Sequence, residues 1–235
     1  MTAAEQDWQP MRYPECPNPD KLALLRAGAQ VRRRLEAEPL AQQVPVEQAE
    51  IWAISEFVSD EECTRLMALV DEAARPSDLL DQGYGHESTY RTSYSGNFDR
   101  NDPFVRMIER RIDDTLGLPH DNGETIQGQR YAEGQEFRAH MDWFWTKAPY
   151  WKQEAKRGGQ RCFTAMIYLN HVAEGGETHF HNIGVTIPPQ KGALIVWNNA
   201  CRDGSLNQDT IHAGKPVIRG SKYIITKWYR VGRWG

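Results

Sequence analysis

His140 and Asp142 set an imidazole and a carboxylate two residues apart. In an extended strand, residues i and i+2 point to one face, so both side chains can reach a single ion. His212, 70 positions beyond Asp142, is the candidate third ligand. Two histidines and one carboxylate on one side of a metal leave the opposite positions open. That set suits a non-haem Fe(II) that must hold dioxygen and a second ligand together. An HxD with a distant histidine also arises by chance, so the triad calls for a second signal.

Lys222 supplies it. It lies ten residues after His212, in SKYIITKWYR. Period-2 alternation puts Lys222, Ile224, Thr226, Trp228 and Arg230 on one face. If that face lines a barrel, Lys222 is a buried cation that needs an anion. A dicarboxylate chelating the metal through a 2-oxo acid end would offer its far carboxylate. A surface lysine in a strand is the other reading. His179 and His181 form a rival HxH of the kind cupins use for metal, and are expected on a strand or loop at the barrel mouth.

These residues sit in the part of the chain that reads as strands. Short β-prone runs at 124–131, 136–142, 161–169, 183–187, 192–197, 209–213 and 221–230 are separated by glycine-rich breaks. Many short strands with turn signals between them indicate a sandwich or barrel, and about eight fit a jelly roll. Ahead of them, residues 50–57 read as a strand. Residues 60–74 read as an amphipathic helix with a Ser59/Glu62 capping box. A further helix starts at Asn101-Asp102-Pro103, buries Phe104, Ile108, Ile112 and Leu116, and stops at Gly117. Residues 19–37 suggest a helix carrying Leu22, Leu25 and Val31 among basic residues, and residues 1–17 a loosely ordered lead-in. The expected organisation is an extension with a helix over 1–49 and one α+β domain over 50–235, a double-stranded β-helix supported by N-terminal helices. Segments 79–101 and 146–159 are expected to be loops flanking the site.

Composition narrows the function classes. Of the 235 residues, 40% are hydrophobic and 26% charged, a globular balance. A formal net charge of −4 argues against a nucleic-acid or membrane-surface binder. Arg32-Arg33-Arg34 reads as a solvated helix face. No apolar run reaches the length of a membrane span, and the first residues lack a secretory pattern. The four scattered cysteines read as reduced, so the expected location is cytoplasmic.

GQRYAEGQEFRAHMDWF, GGQRCFTAMIYLN, GGETHF and IHAGKPVIRGSKYIITKWY resemble the successive core motifs of the prolyl 4-hydroxylases, in order and at similar spacing. The likeness covers residues 50–230, with RTS at 91–93 and ETIQ at 124–127 similar to segments before that core. It implies Fe(II) on His140, Asp142 and His212, and 2-oxoglutarate on Lys222. Tyr131, Tyr168 and Thr178 would be hydrogen-bond donors to the cosubstrate or its neighbours, with Trp228 beside the site. Arg91, Arg161, Trp143 and Arg230 fall near where substrate would lie. The implied reaction consumes 2-oxoglutarate and dioxygen, releases succinate and carbon dioxide, and leaves a hydroxyl on an unactivated carbon, with ascorbate as a candidate auxiliary reductant. A prolyl residue of a peptide or protein is the leading substrate. A free amino acid or other small metabolite, a non-catalytic 2-oxoglutarate or iron sensor, and a zinc hydrolase are the alternatives. Phe137 stands where a tyrosine is frequent in the family, and Arg230 where a histidine is common. Both departures bear on substrate identity.

Overall fold

The computed structural model describes residues 10–77 and 91–235. In chain order it holds α1 (Lys21–Ala37), β1 (Ala41–Gln43), β2 (Ile51–Ile54), α2 (Asp60–Ala73), β3 (Arg75–Pro76), β4 (Tyr94–Asn97) and α3 (Pro103–Leu116). There follow β5 (Gln127–Tyr131), β6 (Phe137–His140), α4 (Trp151–Lys156), β7 (Arg161–Tyr168), β8 (Glu174–Gly175), β9 (Thr178–Phe180) and β10 (Val185–Ile187). The chain ends with β11 (Leu194–Asn198), β12 (His212–Gly214), β13 (Val217–Arg219) and β14 (Lys222–Arg230).

The larger sheet runs β1-β2-β11-β7-β14-β5-β4-β3, and the smaller β10-β9-β12-β6; β13 and β8 form a separate pair. All pairings between these strands are antiparallel. Alternation along the central strands divides the interior. Phe163, Ala165 and Ile167 of β7 and Leu194 and Val196 of β11 join a core with Leu66 and Val70 of α2 and Ile108 and Ile112 of α3. The alternate residues Met166, Tyr168, Ile195 and Trp197 join Phe180 of the smaller sheet in a second core. The architecture is thus mixed, with helices against one face of the larger sheet and the small sheet facing the other. A strand covered on both faces needs apolar residues at nearly every position, which is why β7 and β11 lack a polar stripe.

Local signals explain the helix ends. Ser59 Oγ accepts from the Glu62 amide, and the Glu62 carboxylate accepts from the Ser59 amide. Asp102 accepts from the Phe104 and Val105 amides at the start of α3, and Gly117 ends that helix at φ +66°, a left-handed position that suits glycine. The buried stripe of α1 differs from the sequence expectation. It is Leu24, Gly28, Val31 and Leu35, while Leu22 and Leu25 are exposed. Gly28 lets the helix approach β11 closely: a Cβ there would lie 3.0 Å from Asn198 Nδ2.

Three further expectations change. Within 79–101, residues 94–97 form β4, paired with β5, and 79–90 lie outside the described residues. Within 146–159, residues 151–156 form α4. The lead-in is docked from residue 11 onward. The Asn182 carboxamide accepts from the Met11 amide and donates to its carbonyl, and Gln208 treats Tyr13 the same way. Arg12 between them pairs with Asp209 at 2.8 Å, and Tyr13 lies against Trp145. One side-chain amide per backbone unit substitutes for a neighbouring strand. All four cysteines are free, and no helix among the described residues is long and apolar enough to cross a membrane.

Candidate active site

β6 and β12 pair so that His212 lies opposite His140. Asp142 follows β6 on the same side of the chain as His140. A ligand atom from each of the three residues lies within 4.8 Å of the others, and all three side chains are buried. His140 Nδ1 faces the Arg138 carbonyl and His212 Nδ1 the Thr210 carbonyl, both at 2.9 Å. A carbonyl only accepts, so each Nδ1 carries a proton and each Nε2 is turned toward the shared site. Burial, reinforced by the neighbouring His212 and opposed by Asp142, pushes His140 down to about 3, so its imidazole is neutral at ordinary pH. For Asp142, burial favours the acid form. His212, His140, Arg161 and a 2.8 Å bond from Thr164 outweigh it and hold the carboxyl below the usual range. A neutral His140 imidazole and an ionised Asp142 carboxylate are in the states in which these groups bind a divalent cation.

The ring of Phe137 stacks on His140 with centroids 3.6 Å apart, and the Arg91 guanidinium covers the Phe137 ring at 4.9 Å. Arg91 also donates to Ser93 and Gln127. It therefore braces a ligand histidine through an intervening ring.

A cavity joins the triad to Lys222, with Thr178, Gln129, Thr226, Trp197 and Trp228 in its walls. The Lys222 ammonium is buried and sits 5.4 and 5.5 Å from the ring centroids of Tyr131 and Tyr168. Burial lowers it to about 7, against a raising effect of Glu177. Among the described residues no hydrogen-bond acceptor meets it. A Cβ at Gly214 would begin 3.6 Å from Lys222 Nζ, so glycine there keeps the bay open. The Tyr168 hydroxyl donates to Thr178 Oγ1 at 2.6 Å, which leaves the Thr178 proton to give.

The structure separates the other expected site residues. Tyr131 reaches the cavity, but its hydroxyl donates to Gln129 Oε1 at 2.8 Å, and Gln129 Nε2 donates to Thr226. Trp143 is turned away. Alternation that sends His140 and Asp142 inward sends Met141 and Trp143 into the helix-lined core, away from the cavity wall. Arg161 lies beside the site, over the Trp228 ring at 4.1 Å, and Nη1 stands 3.8 Å from Asp142 Oδ1. Arg230 is 2% exposed and is not in the cavity wall, with its guanidinium bound to Glu124, Glu154 and the Gly159 carbonyl. His179 and His181 flank the inward Phe180 and lie outside the cavity, with His179 Nδ1 2.8 Å from Thr186 Oγ1. Gln129, Thr164 and Glu124 were not singled out by sequence. Gln129 shares a face with Tyr131 and could have been found by alternation. Nothing local marks the other two.

Residues 126–230 match the 2OG-Fe(II) oxygenase superfamily. Prolyl 4-hydroxylase 5 of Arabidopsis thaliana is 35% identical over 199 residues, 74% of this chain and 66% of that relative. Probable prolyl 4-hydroxylase 3 of the same plant is 35% identical over 202 residues, 76% of this chain and 68% of the relative. The chain belongs to the prolyl 4-hydroxylase-like 2OG-Fe(II) oxygenases. The match spans about two thirds of the length of these curated relatives. A viral collagen prolyl hydroxylase from Paramecium Bursaria Chlorella virus-1, solved as a 2OG complex, superposes with a TM-score of 0.59 at 28% identity. That alignment covers 77% of this chain and 94% of the viral one. A Trichoplax adhaerens prolyl hydroxylase in complex with a hypoxia inducible factor peptide fragment gives a TM-score of 0.58 over 90% of this chain and 95% of the other, and at 16% identity shows the shared fold. The family's cofactors fit these residues. The triad offers three anionic or lone-pair donors to Fe(II), and the buried Lys222 amine, which meets no acceptor among the described residues, fits the far carboxylate of 2-oxoglutarate.

Proposed function

We propose that this oxygenase hydroxylates a prolyl residue of a peptide or protein, consuming 2-oxoglutarate and dioxygen and releasing succinate and carbon dioxide. The observation that carries the reading is one cavity holding both the triad and a buried lysine that meets no acceptor among the described residues. The relatives named for prolyl hydroxylation favour proline as the target. We read the facing sheets as a double-stranded β-helix, residues 1–49 as an extension of the 50–235 domain, the location as cytoplasmic, and ascorbate as an auxiliary reductant.

Bound Fe(II) would supply the site for dioxygen activation and for chelation of the 2-oxo acid. The chain's own residues do the rest. His140, Asp142 and His212 would hold the ion from one side. Lys222 would neutralise the far carboxylate of the cosubstrate, and Thr178 can donate to the same group. The indoles of Trp197 and Trp228 wall the cavity and exclude water, which strengthens every charge interaction inside it. Thr164 keeps one oxygen of Asp142 directed by a hydrogen bond.

The test is succinate formation with Fe(II), 2-oxoglutarate and dioxygen, alone and with proline-containing peptides, with mass spectrometry of the peptide. A gain of one oxygen on proline, lost in Asp142→Ala, is expected. Stimulation by a free amino acid but by no peptide would replace the substrate assignment.

A further inference from the structure

Arg230 has no access to the cavity, yet its guanidinium is fully committed. Nε donates to Glu124 Oε1, Nη1 to the Gly159 carbonyl at 2.6 Å, and Nη2 to Glu154 Oε2 at 2.6 Å. Glu154 is itself buried, on α4. Glu124 in turn takes a two-pronged grip from Arg161, Nε at 2.7 Å and Nη2 at 2.9 Å. The Arg161 guanidinium also lies over the rings of Trp228, at 4.1 Å, and Phe144, at 4.8 Å. Fork and rings together leave it one orientation, with its remaining nitrogen, Nη1, 3.8 Å from Asp142 Oδ1.

We propose that Arg230 and Glu154 are positioning residues for the metal site, holding Asp142 and Trp228 in place through Glu124 and Arg161. The inference rests on the reading of the triad as the metal site. Glu124 alone would not fix Arg161, because a glutamate side chain has three rotatable bonds. Arg230 removes that freedom by engaging Glu124 from a second direction, and is itself anchored at two further points. The charges cancel in pairs, Arg161 with Glu124 and Arg230 with Glu154. The chain of contacts therefore transmits position to the ligand carboxylate without adding net charge beside it. It also ties α4 to Asp142, so a contact made on that helix is felt at the metal.

The experiment is anaerobic titration of the full chain with Fe(II), and with Co(II), whose visible bands report ligand geometry. Outer partners of metal ligands are typically worth about ten- to hundredfold in affinity. Arg230→Met should raise the metal dissociation constant by about that factor and shift the Co(II) bands, and Arg230→Lys should recover part of both. A purely structural role would lower the denaturation midpoint while the folded protein kept wild-type affinity and spectrum, and that result overturns the proposal. Should Arg230→Met fail to fold, Glu154→Gln decides. A smaller change in the same two readouts is expected, and wild-type values in both would overturn the relay. If the wild type itself takes up neither ion, the metal reading fails, and the relay with it.

Discussion

Two lysines on β14 are five residues apart, buried almost completely, and turned to opposite faces. Lys227 faces α3, where Nζ lies 2.9 Å from Asp113 Oδ1 and 3.5 Å from Glu109 Oε1, with the Tyr229 hydroxyl also on Asp113. Lys222 faces the cavity and meets two tyrosine rings and, among the described residues, no acceptor. Burying an ammonium costs several kcal/mol unless it is compensated. Lys227 carries its compensation within the fold. Lys222 leaves it to a guest, which is the difference between a structural charge and a binding one.

Replacing Lys227 should do the most damage to the fold. Lys227→Met would strand the buried Glu109 carboxylate and leave Asp113 to Tyr229 and His120, and breaking such a buried pairing costs about 3–5 kcal/mol. Urea unfolding of unliganded protein should show the loss. A wild-type midpoint would mean that Lys227 holds nothing together, and the contrast with Lys222 would collapse.

Lys222→Met should behave in the opposite way. Unliganded stability should hold or rise, because an uncompensated charge is removed. Affinity for 2-oxoglutarate should fall about ten- to hundredfold, the worth of a charge-assisted hydrogen bond. Fe(II) affinity should stay, since Lys222 is no ligand. Charge-transfer absorption during titration of the Fe(II)-loaded protein separates the two affinities. An unmoved 2-oxoglutarate constant would take Lys222 out of the site.

The same group predicts a pH dependence. The folded value of about 7 lies below the ordinary lysine value of 10.5. Between those values the unfolded chain binds a proton that the folded chain lacks, so unliganded stability should rise with pH across that window. The cosubstrate needs the ammonium form, so its binding takes up a proton above about pH 7 and should weaken by up to about tenfold per pH unit. Calorimetry in buffers of different ionisation heat would count that proton. A pH-independent constant in the wild type would contradict the assignment, and Lys222→Met should show no such slope.

The smallest effect concerns Tyr168. Tyr168→Phe removes its bond to Thr178, worth about 1 kcal/mol of stability. It also frees the Thr178 hydroxyl to turn, so the cosubstrate constant should change far less than in Lys222→Met. Parallel titrations would rank the two, and an equal loss would make the tyrosine as important as the cation.

How much of this was legible depended on whether the signal was local. The inward face of β14 could be read from period-2 alternation, and the caps of α2 and α3 from side chains that bond three residues away or fewer. The same alternation, carried on from His140, would have placed Trp143 in the core. The surroundings of Arg230 are not legible for a different reason. Its partners Glu124 and Glu154 lie 106 and 76 positions away, and no local pattern announces such pairings. The stripe of α1 was displaced because Gly28, rather than a large apolar residue, makes the closest approach to the sheet. β4 was missed because YSGN has no apolar alternation, and backbone pairing with β5 alone makes it a strand.

The docked lead-in bears on the order of synthesis. Met11 leaves the ribosome well before its carboxamide partner Asn182, 171 positions later, and Gln208 comes 195 after Tyr13. At about 5–20 residues per second, the lead-in waits roughly ten to forty seconds for the groups that hold it. A helix or a sticky strand there would find wrong partners in that interval. Pro10, Pro14 and Pro17 disfavour both, since proline cannot donate to a ladder or continue a helix. The lead-in thus docks late, closing over Trp145 and the turn ahead of His212 once both exist.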